Sequence, residues 1–372
     1  MTNKDFLKDQ LITYLGNKRS LIKFIDNVVQ IVKEETGKDK LLIVDGFSGS
    51  GAVARYFKEH ASLLITNDLE KYSKIINQSF LRNKSEIDFE EIERYVKLLN
   101  EKKFRTDLGE GIIEKLYAPK ETKNIQEGER CFYTNENAKI IDNIRRTIDL
   151  EVPEHLKNIF LSILLYKASV HNNTSGVFKG FYKEKKSPKI KKPHLGKFGG
   201  EAENALQRIL GEISMEPIIL SDFDCESKCF QSDTNQLMGK LKNLDLVYYD
   251  PPYNQHPYGS NYHMLNTILD YVEPIEISKV AGIPTDWKKS LYNKQKDALK
   301  AFDNLIERTK SKYIMISYNN EGFISYEDML RVCELKGEVR VFDENYPTFR
   351  ASRNLKKRKI NVTEYIFLIK VN

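Results

Sequence analysis

The chain has 372 residues, of which 30% are charged and 40% hydrophobic; that length can bury the core of one large domain or two modest ones and excludes a small stapled scaffold. A mean hydropathy of -0.52, with no apolar run near the roughly 18 residues a membrane-spanning helix requires, leads us to expect a soluble globular protein, and the four scattered cysteines, Cys131, Cys225, Cys229 and Cys333, make no disulfide framework. The opening MTNKDFLKDQ lacks a secretory pattern, so a reducing cytoplasm is expected, and the net charge of +6 is compatible with a polyanionic partner without requiring one.

Two apolar runs with acidic stops, Leu41 to Asp45 (LLIVD) and Leu63 to Asp68 (LLITND), read as buried parallel strands. Ala52 to His60 between them has room for only a short helix, which makes the stretch a βαβ unit. From about Ser85 to Leu150 the pattern turns charged and helical, with Phe89, Ile92, Val96 and Leu99 spaced for one face of an amphipathic helix. Pro153 then opens an apolar helix through Leu156, Ile159, Phe160, Ile163 and Leu164 that ends near Asn172. Asn172 to Pro217 is rich in Gly, Pro and Lys, with little periodicity before Glu201 to Leu210, and is expected as an extended surface segment. Leu244 to Tyr249 (LDLVYY), Tyr313 to Ser317 (YIMIS) and Val362 to Val371 (VTEYIFLIKV) supply further strands. The expected fold is α/β with an open sheet: residues 1–84 plus 217–372 form one domain, interrupted by an inserted helical and loop region at 85–216.

Chemistry concentrates at two strand ends. Asp45-Gly46-Phe47-Ser48-Gly49-Ser50-Gly51 lies between a strand and a helix, where Gly49 and Gly51 let the backbone turn sharply and lie against a ligand. Asp68, at the end of the next strand, stands where a ribose-binding carboxylate is expected; the pair indicates a nucleoside without saying which, and a dinucleotide fits as well. Asp250-Pro251-Pro252-Tyr253 ends another strand with a carboxylate, two residues that cannot continue a ladder and a flat ring for stacking.

With Tyr14-Leu15-Gly16-Asn17-Lys18 ahead of them and the insert in between, these motifs stand in the order found in the alpha-group, Dam-like DNA adenine-N6 methyltransferases, which the chain resembles over most of its length. The resemblance implies a Rossmann-like methyltransferase sheet with an inserted target-recognition region. It also implies S-adenosylmethionine as cofactor, double-stranded DNA as substrate and, in a restriction-modification setting, a cognate restriction endonuclease as candidate partner. Carried onto this chain, Tyr14 and Lys18 lie along the cofactor and Phe47, Gly49 and Gly51 wrap its methionine end. Asp68 takes the ribose hydroxyls, Asp233 reaches the adenine with Asp222 and Asp224 as rivals, and Asp45 and Asp250 complete the cofactor-facing set. Asn345 to Arg350, with Phe349, resembles a later aromatic motif that holds an extruded base; a hairpin loop is the plain alternative.

The chemistry asks for these residue types on its own account. Adenine's amine is a poor nucleophile, and attack on a sulfonium methyl puts positive charge on its nitrogen, so Asp250 and the Pro251 carbonyl would accept its two N–H groups. Asp250, Pro251, Pro252 and Tyr253 are therefore the expected catalytic set, with Tyr253 stacking on a flipped base. No metal is expected: Cys225 and Cys229 form one pair without a second, and the six histidines, His256 and His263 among them, are dispersed. Eight lysines between Lys179 and Lys197 face one acid, Glu184; of these Lys185, Lys186, Lys189, Lys191 and Lys192 are expected at phosphates, a solvated face being the alternative. Asn173 to Phe178 is a candidate for groove entry, and Tyr258 joins the nucleic-acid set from an aromatic loop after the catalytic motif. An RNA adenine-N6 methyltransferase, a glutamine methyltransferase and an inactive nucleic-acid-binding subunit are the rival readings. Oligomeric state carries no sequence signal.

Overall fold

The computed structural model describes residues 3–184, 195–201, 203–347 and 361–372. Its described residues form one seven-stranded sheet in the order β3-β2-β1-β4-β5-β7-β6. The strands are β1 (Leu41–Asp45), β2 (Ala61–Asp68), β3 (Glu226–Gln231), β4 (Leu244–Tyr249), β5 (Ser311–Asn319), β6 (Gly337–Pro347) and β7 (Asn361–Val371). The first five pair in parallel, whereas β7 inserts antiparallel between β5 and β6.

The order places the site. From β1 the chain steps outward through β2 to β3, then returns to the other flank of β1 with β4 and β5. Strand order therefore reverses between β1 and β4, and a crevice opens at their carboxyl ends, the usual ligand position in open α/β sheets. Asp45 is level with Thr66 of β2 and with Tyr248 of β4. Asp45, Asp68 and Asp250 consequently end up at one edge.

The central strands are buried on both faces, which is why they read as continuous apolar runs. Ile43, Leu246 and Tyr248 pack under the helices Ile22–Thr36 and Ala52–Phe57. Val44, Val247 and Tyr249 point the other way, toward Gln295–Arg308 and Tyr326–Glu334. Ile22–Thr36 shows the pattern plainly, burying Phe24, Ile25, Val28, Val29 and Val32 and stopping at Gly37 in the left-handed region (φ 66°).

A third core is helical. Phe89–Lys102, Ile112–Tyr117, Asn135–Glu151 and Glu154–Val170 pack together with Lys71–Phe80 and His263–Asp270, helices that directly follow β2 and the Asp250 loop. Among the described residues, 85–216 contribute no strand to the sheet. The stretch from Asn172 departs from the expected surface segment. Asn172, Asn173, Thr174 and Phe178 are buried, as are Ile209, Ile213 and Met215. Asn173 makes this affordable for the backbone: its amide donates to the Cys131 carbonyl at 2.9 Å, and its side-chain oxygen accepts from the Gly199 N–H at 3.0 Å. No described helix is long and apolar enough to cross a membrane.

Candidate active site

The turn after β1 and the end of β2 interlock. The Gly49 N–H donates to Asp68 Oδ2 at 2.8 Å and the Glu70 N–H to Asp68 Oδ1 at 2.9 Å, so the Gly-rich loop and the acidic loop are tied to one carboxylate. Each oxygen keeps a lone pair for a further donor. Burial pushes the Asp68 pKa up, and these backbone N–H groups pull it back. Gly49 sits at φ 49°, and a Cβ there would lie 2.9 Å from the Tyr14 ring, so glycine is required on two counts. Gly51, at φ 80°, is needed for a different reason: its missing Cβ makes room for the Asn77 side-chain oxygen. Its place is behind the loop.

Tyr14 belongs to a cluster of three mutually near-parallel tyrosine rings. Its ring stacks on Tyr258 (5.0 Å, 14°) and on Tyr262 (4.7 Å, 20°), and its hydroxyl lies 3.2 Å from that of Tyr72. The backbone beside it is held by the same two rings, for the Tyr262 hydroxyl accepts from the Leu15 N–H at 2.6 Å and the Tyr258 hydroxyl donates to the Leu15 carbonyl at 3.1 Å. The N-terminal segment is thus strapped to the chain that follows Asp250.

Around this strap lies a cleft. Tyr14, Lys18, Asp45, Phe47, Gly49, Asp68, Asp233, Asp250, Pro252 and Tyr258, all singled out in the sequence, line it; Gly51, Pro251 and Tyr253 do not. Asp233 caps the helix Thr234–Met238 by accepting from the Gln236 N–H at 3.0 Å. Its rivals lie elsewhere, Asp222 paired with Lys84 and Asp224 accepting from the Ser85 hydroxyl at 3.1 Å. Tyr253 instead lines an adjoining cavity, together with Ser175, Gly176, Val177 and Tyr346. Tyr14, Gly16, Asn17 and Ser50 border both spaces.

Two carboxylates set the electrostatics. Asp45 is 1% exposed, and neither of its oxygens finds a hydrogen-bond partner in the protein. Burial, then the neighbouring Asp250, hold its pKa well above the usual carboxylate range; the Phe47 N–H, near the carboxyl without reaching hydrogen-bond geometry, offsets only part of this. Such an orphaned buried group facing a cleft, with Asp68 lone pairs and a stacked aromatic nearby, suits a ligand that brings positive charge and vicinal hydroxyls. Asp250 has its pKa raised to about 6 by burial, with Lys18 pulling it down and Glu364 pushing it up. The Lys18 ammonium lies 3.2 Å from Asp250 Oδ1 and 2.8 Å from Glu364 Oε1. Burial works against that charge, yet Asp250 and Glu364 hold the Lys18 pKa well above the ordinary lysine value.

Some residues of the site escaped the sequence reading. Glu364 sits inside the apolar run of β7, where a lone acid reads as an interruption, although an acid in an otherwise buried strand is itself a signal. Glu70 lines the cleft and accepts from the Asn266 amide at 2.8 Å; burial and Asp68 raise its pKa to about 7. Lys288, Ser290, Tyr292 and Asn293 reach the cleft from a distant loop without any motif. His263 belongs to packing: it is 3% exposed among Phe132, Phe178 and Tyr117, with its Nε2 3.1 Å from the Phe178 carbonyl oxygen, and burial lowers its pKa to about 4. Exposed Lys179 lies 3.3 Å from His256 Nδ1. Lys185, Lys186, Lys189, Lys191, Lys192 and Phe349 fall outside the described residues.

Comparison with known proteins places the chain in a family. The family model of the D12 class N6 adenine-specific DNA methyltransferases matches residues 14–332. The Type II methyltransferase M.NlaIII of Neisseria lactamica is 28% identical over 367 residues, which cover 96% of this chain and 99% of the relative. The Type II methyltransferase M.CviAII of Paramecium bursaria Chlorella virus 1 is 27% identical over 362 residues, 96% and 98% of the two chains. The Type II methyltransferase M.FokI of Planomicrobium okeanokoites is 28% identical over 369 residues, and there the chain spans 52% of the relative's length.

Proposed function

Because the chain belongs to the D12 class N6 adenine-specific DNA methyltransferases, we propose that its cleft binds S-adenosylmethionine and that the adjoining cavity receives an adenine turned out of double-stranded DNA. The observation that carries this reading is the position of the Asp250 loop: its carboxylate borders the cleft, while Tyr253, three residues on, borders the cavity beside it. Donor and acceptor would meet across that boundary. In this reading Asp68 holds the ribose hydroxyls, Asp45 faces the positive end of the cofactor, and Phe47 and Tyr14 enclose it. Bound S-adenosylmethionine supplies an electrophilic methyl group.

The protein's part is alignment and charge stabilisation. With its pKa raised to about 6, Asp250 is largely ionised at neutral pH and accepts one N–H of the adenine amine. The Pro251 carbonyl accepts the other, so the nitrogen lone pair is turned toward the methyl carbon and its developing positive charge is stabilised in a dry site. Asp250 then takes the proton that the methylated nitrogen must release, and passes it to water. Tyr253 and Tyr346 supply ring faces for the base. We assign target recognition to the helical and basic region 85–216, and infer that the enzyme serves as the modification half of a restriction-modification system with a cognate endonuclease in the cytoplasm.

Transfer of labelled methyl from S-adenosylmethionine to a mixture of duplex sequences, followed by nucleoside analysis, tests the reading. N6-methyladenine in duplex DNA supports it. Label confined to RNA or to single strands would redirect the substrate assignment.

A further inference from the structure

Glu364 is 0% exposed, near the start of β7 and level with Asn319, the last residue of β5, and with Glu344 of β6. A carboxylate buried in a sheet is expensive, and an apolar residue of similar volume would stabilise the strand as well or better. Its contacts point to another use. Oε1 accepts from the Ser317 hydroxyl at 2.6 Å and from the Lys18 ammonium at 2.8 Å, and Oε2 lies 3.5 Å from the Tyr346 hydroxyl. Lys18, 4% exposed, has Asp250 as its other partner at 3.2 Å. Glu364, Lys18 and Asp250 therefore form a row that runs from the sheet interior to the boundary between the two cavities.

We propose that Glu364 is a positioning residue for methyl transfer: it anchors the Lys18 ammonium toward the sheet, so that Lys18 orients Asp250 without capturing it. This rests on Asp250 being the acceptor for the adenine amine. A buried lysine facing a single carboxylate would form a closed pair and drain its acceptor strength. A second carboxylate on the far side divides the lysine's charge. Burial raises the Asp250 pKa most; on top of that Lys18 pulls it down and keeps the carboxyl ionised, while Glu364 pushes it back up and keeps it basic, which leaves it at about 6. The remaining titratable groups near Asp250 are Asp45 at the end of β1, Tyr248 of β4, Tyr253 in its own loop, Tyr258 beyond it and Tyr346 of β6. All four tyrosine hydroxyls are held above their ordinary value, so they stay neutral through the working range. Asp45, held well above the usual carboxylate range by burial and Asp250, is present in wild type and variant alike.

The test is the pH profile of single-turnover methyl transfer by Glu364→Gln, with S-adenosylmethionine KM and thermal stability measured alongside. Glutamine keeps the shape and the Ser317 contact but loses the charge. The acid limb should move down by about one pH unit, and the rate on the plateau should fall about tenfold, a loss of one decade in transition-state stabilisation, while KM for S-adenosylmethionine stays within about twofold. Glu364→Asp restores the charge with a shorter reach. Its acid limb should return toward wild type while its plateau rate stays low, and it carries the rate test if the glutamine variant does not fold. A folded Glu364→Gln enzyme with the wild-type acid limb, or one whose loss lies wholly in KM, overturns the proposal, as does a Glu364→Asp enzyme at full plateau rate. Asp250→Asn run in parallel keeps the two readings apart: an active Asp250→Asn enzyme sinks the assignment of Asp250, whereas an inactive one beside an unaltered Glu364→Gln sinks this inference alone.

Discussion

The two neighbouring cavities are built in different ways. The cleft takes most of its wall from three short stretches, Asp45 to Val53, Asp68 to Glu70 and Ser232 to Thr234, each at the carboxyl end of a parallel strand. The adjoining cavity collects Leu11 to Ser20, Ser175 to Val177, Tyr253 and Tyr346 from segments far apart in the chain. A wall made of strand ends is fixed by the sheet's hydrogen bonds and tolerates change behind it. A wall made of remote loops depends on the helical core that brings those loops together, so the cleft should be the sturdier of the two.

Asp250→Ala tests the boundary between them and should have the largest effect. Turnover should drop by about 10²-fold or more, as for loss of one preorganised electrostatic contact, while filter binding still detects the DNA complex. Asp68→Ala should act on the cleft alone: with about 1.5–3 kcal/mol per hydrogen bond to a charged group, loss of even one ribose contact should weaken S-adenosylmethionine binding by at least about 10-fold in calorimetry, with DNA affinity unchanged. Equal affinity in the folded mutant would take Asp68 out of the site.

Tyr253→Ala is the reciprocal probe of the adjoining cavity. Loss of one base stack costs about 1–3 kcal/mol, so 2-aminopurine at the target position should report altered retention of the flipped base, with cofactor binding unaffected. A coupled loss of both would mean the two spaces are one site.

The smallest expected effect concerns pH. His263 buttresses Phe178, next to Val177 of the adjoining cavity, and its folded-state pKa is lowered to about 4 from an ordinary value near 6.5. Because the unfolded chain takes up the proton first, the stability from neutral His263 is complete above about pH 6.5 and is lost as pH falls from there toward 4. Between pH 7 and pH 5.5 the loss should be about 1 kcal/mol, and hydrogen exchange should show it in the helices Asn135–Glu151 and His263–Asp270 before β1 and β4. A pH-independent protection pattern there would remove the distinction in sturdiness.

Much of the cleft was legible in the amino-acid sequence because its determinants are local. β1, β2, β4 and β5 are apolar runs that had to be buried on both faces, and Gly49 and Gly51 between a strand and a helix mark the turn, although the Tyr14 ring that excludes a Cβ at Gly49 comes from a remote segment. Asp250-Pro251-Pro252-Tyr253 ends its strand by proline geometry alone. Tertiary structure decided the rest. β3, ESKCFQ, alternates between exposed and half-buried positions at the sheet edge, so no apolar run marks it, and only pairing with β2 makes it a strand. β7 was visible as a strand, but its antiparallel place between β5 and β6 is set by the register of its neighbours. Asn172, Asn173 and Phe178 look like loop residues until buried carbonyls and rings claim them. Glu364 shows the division most plainly: its sequence neighbours say only that it is buried, and its meaning comes from Lys18, 346 positions earlier in the chain, since ion pairing acts through space and leaves no periodicity behind.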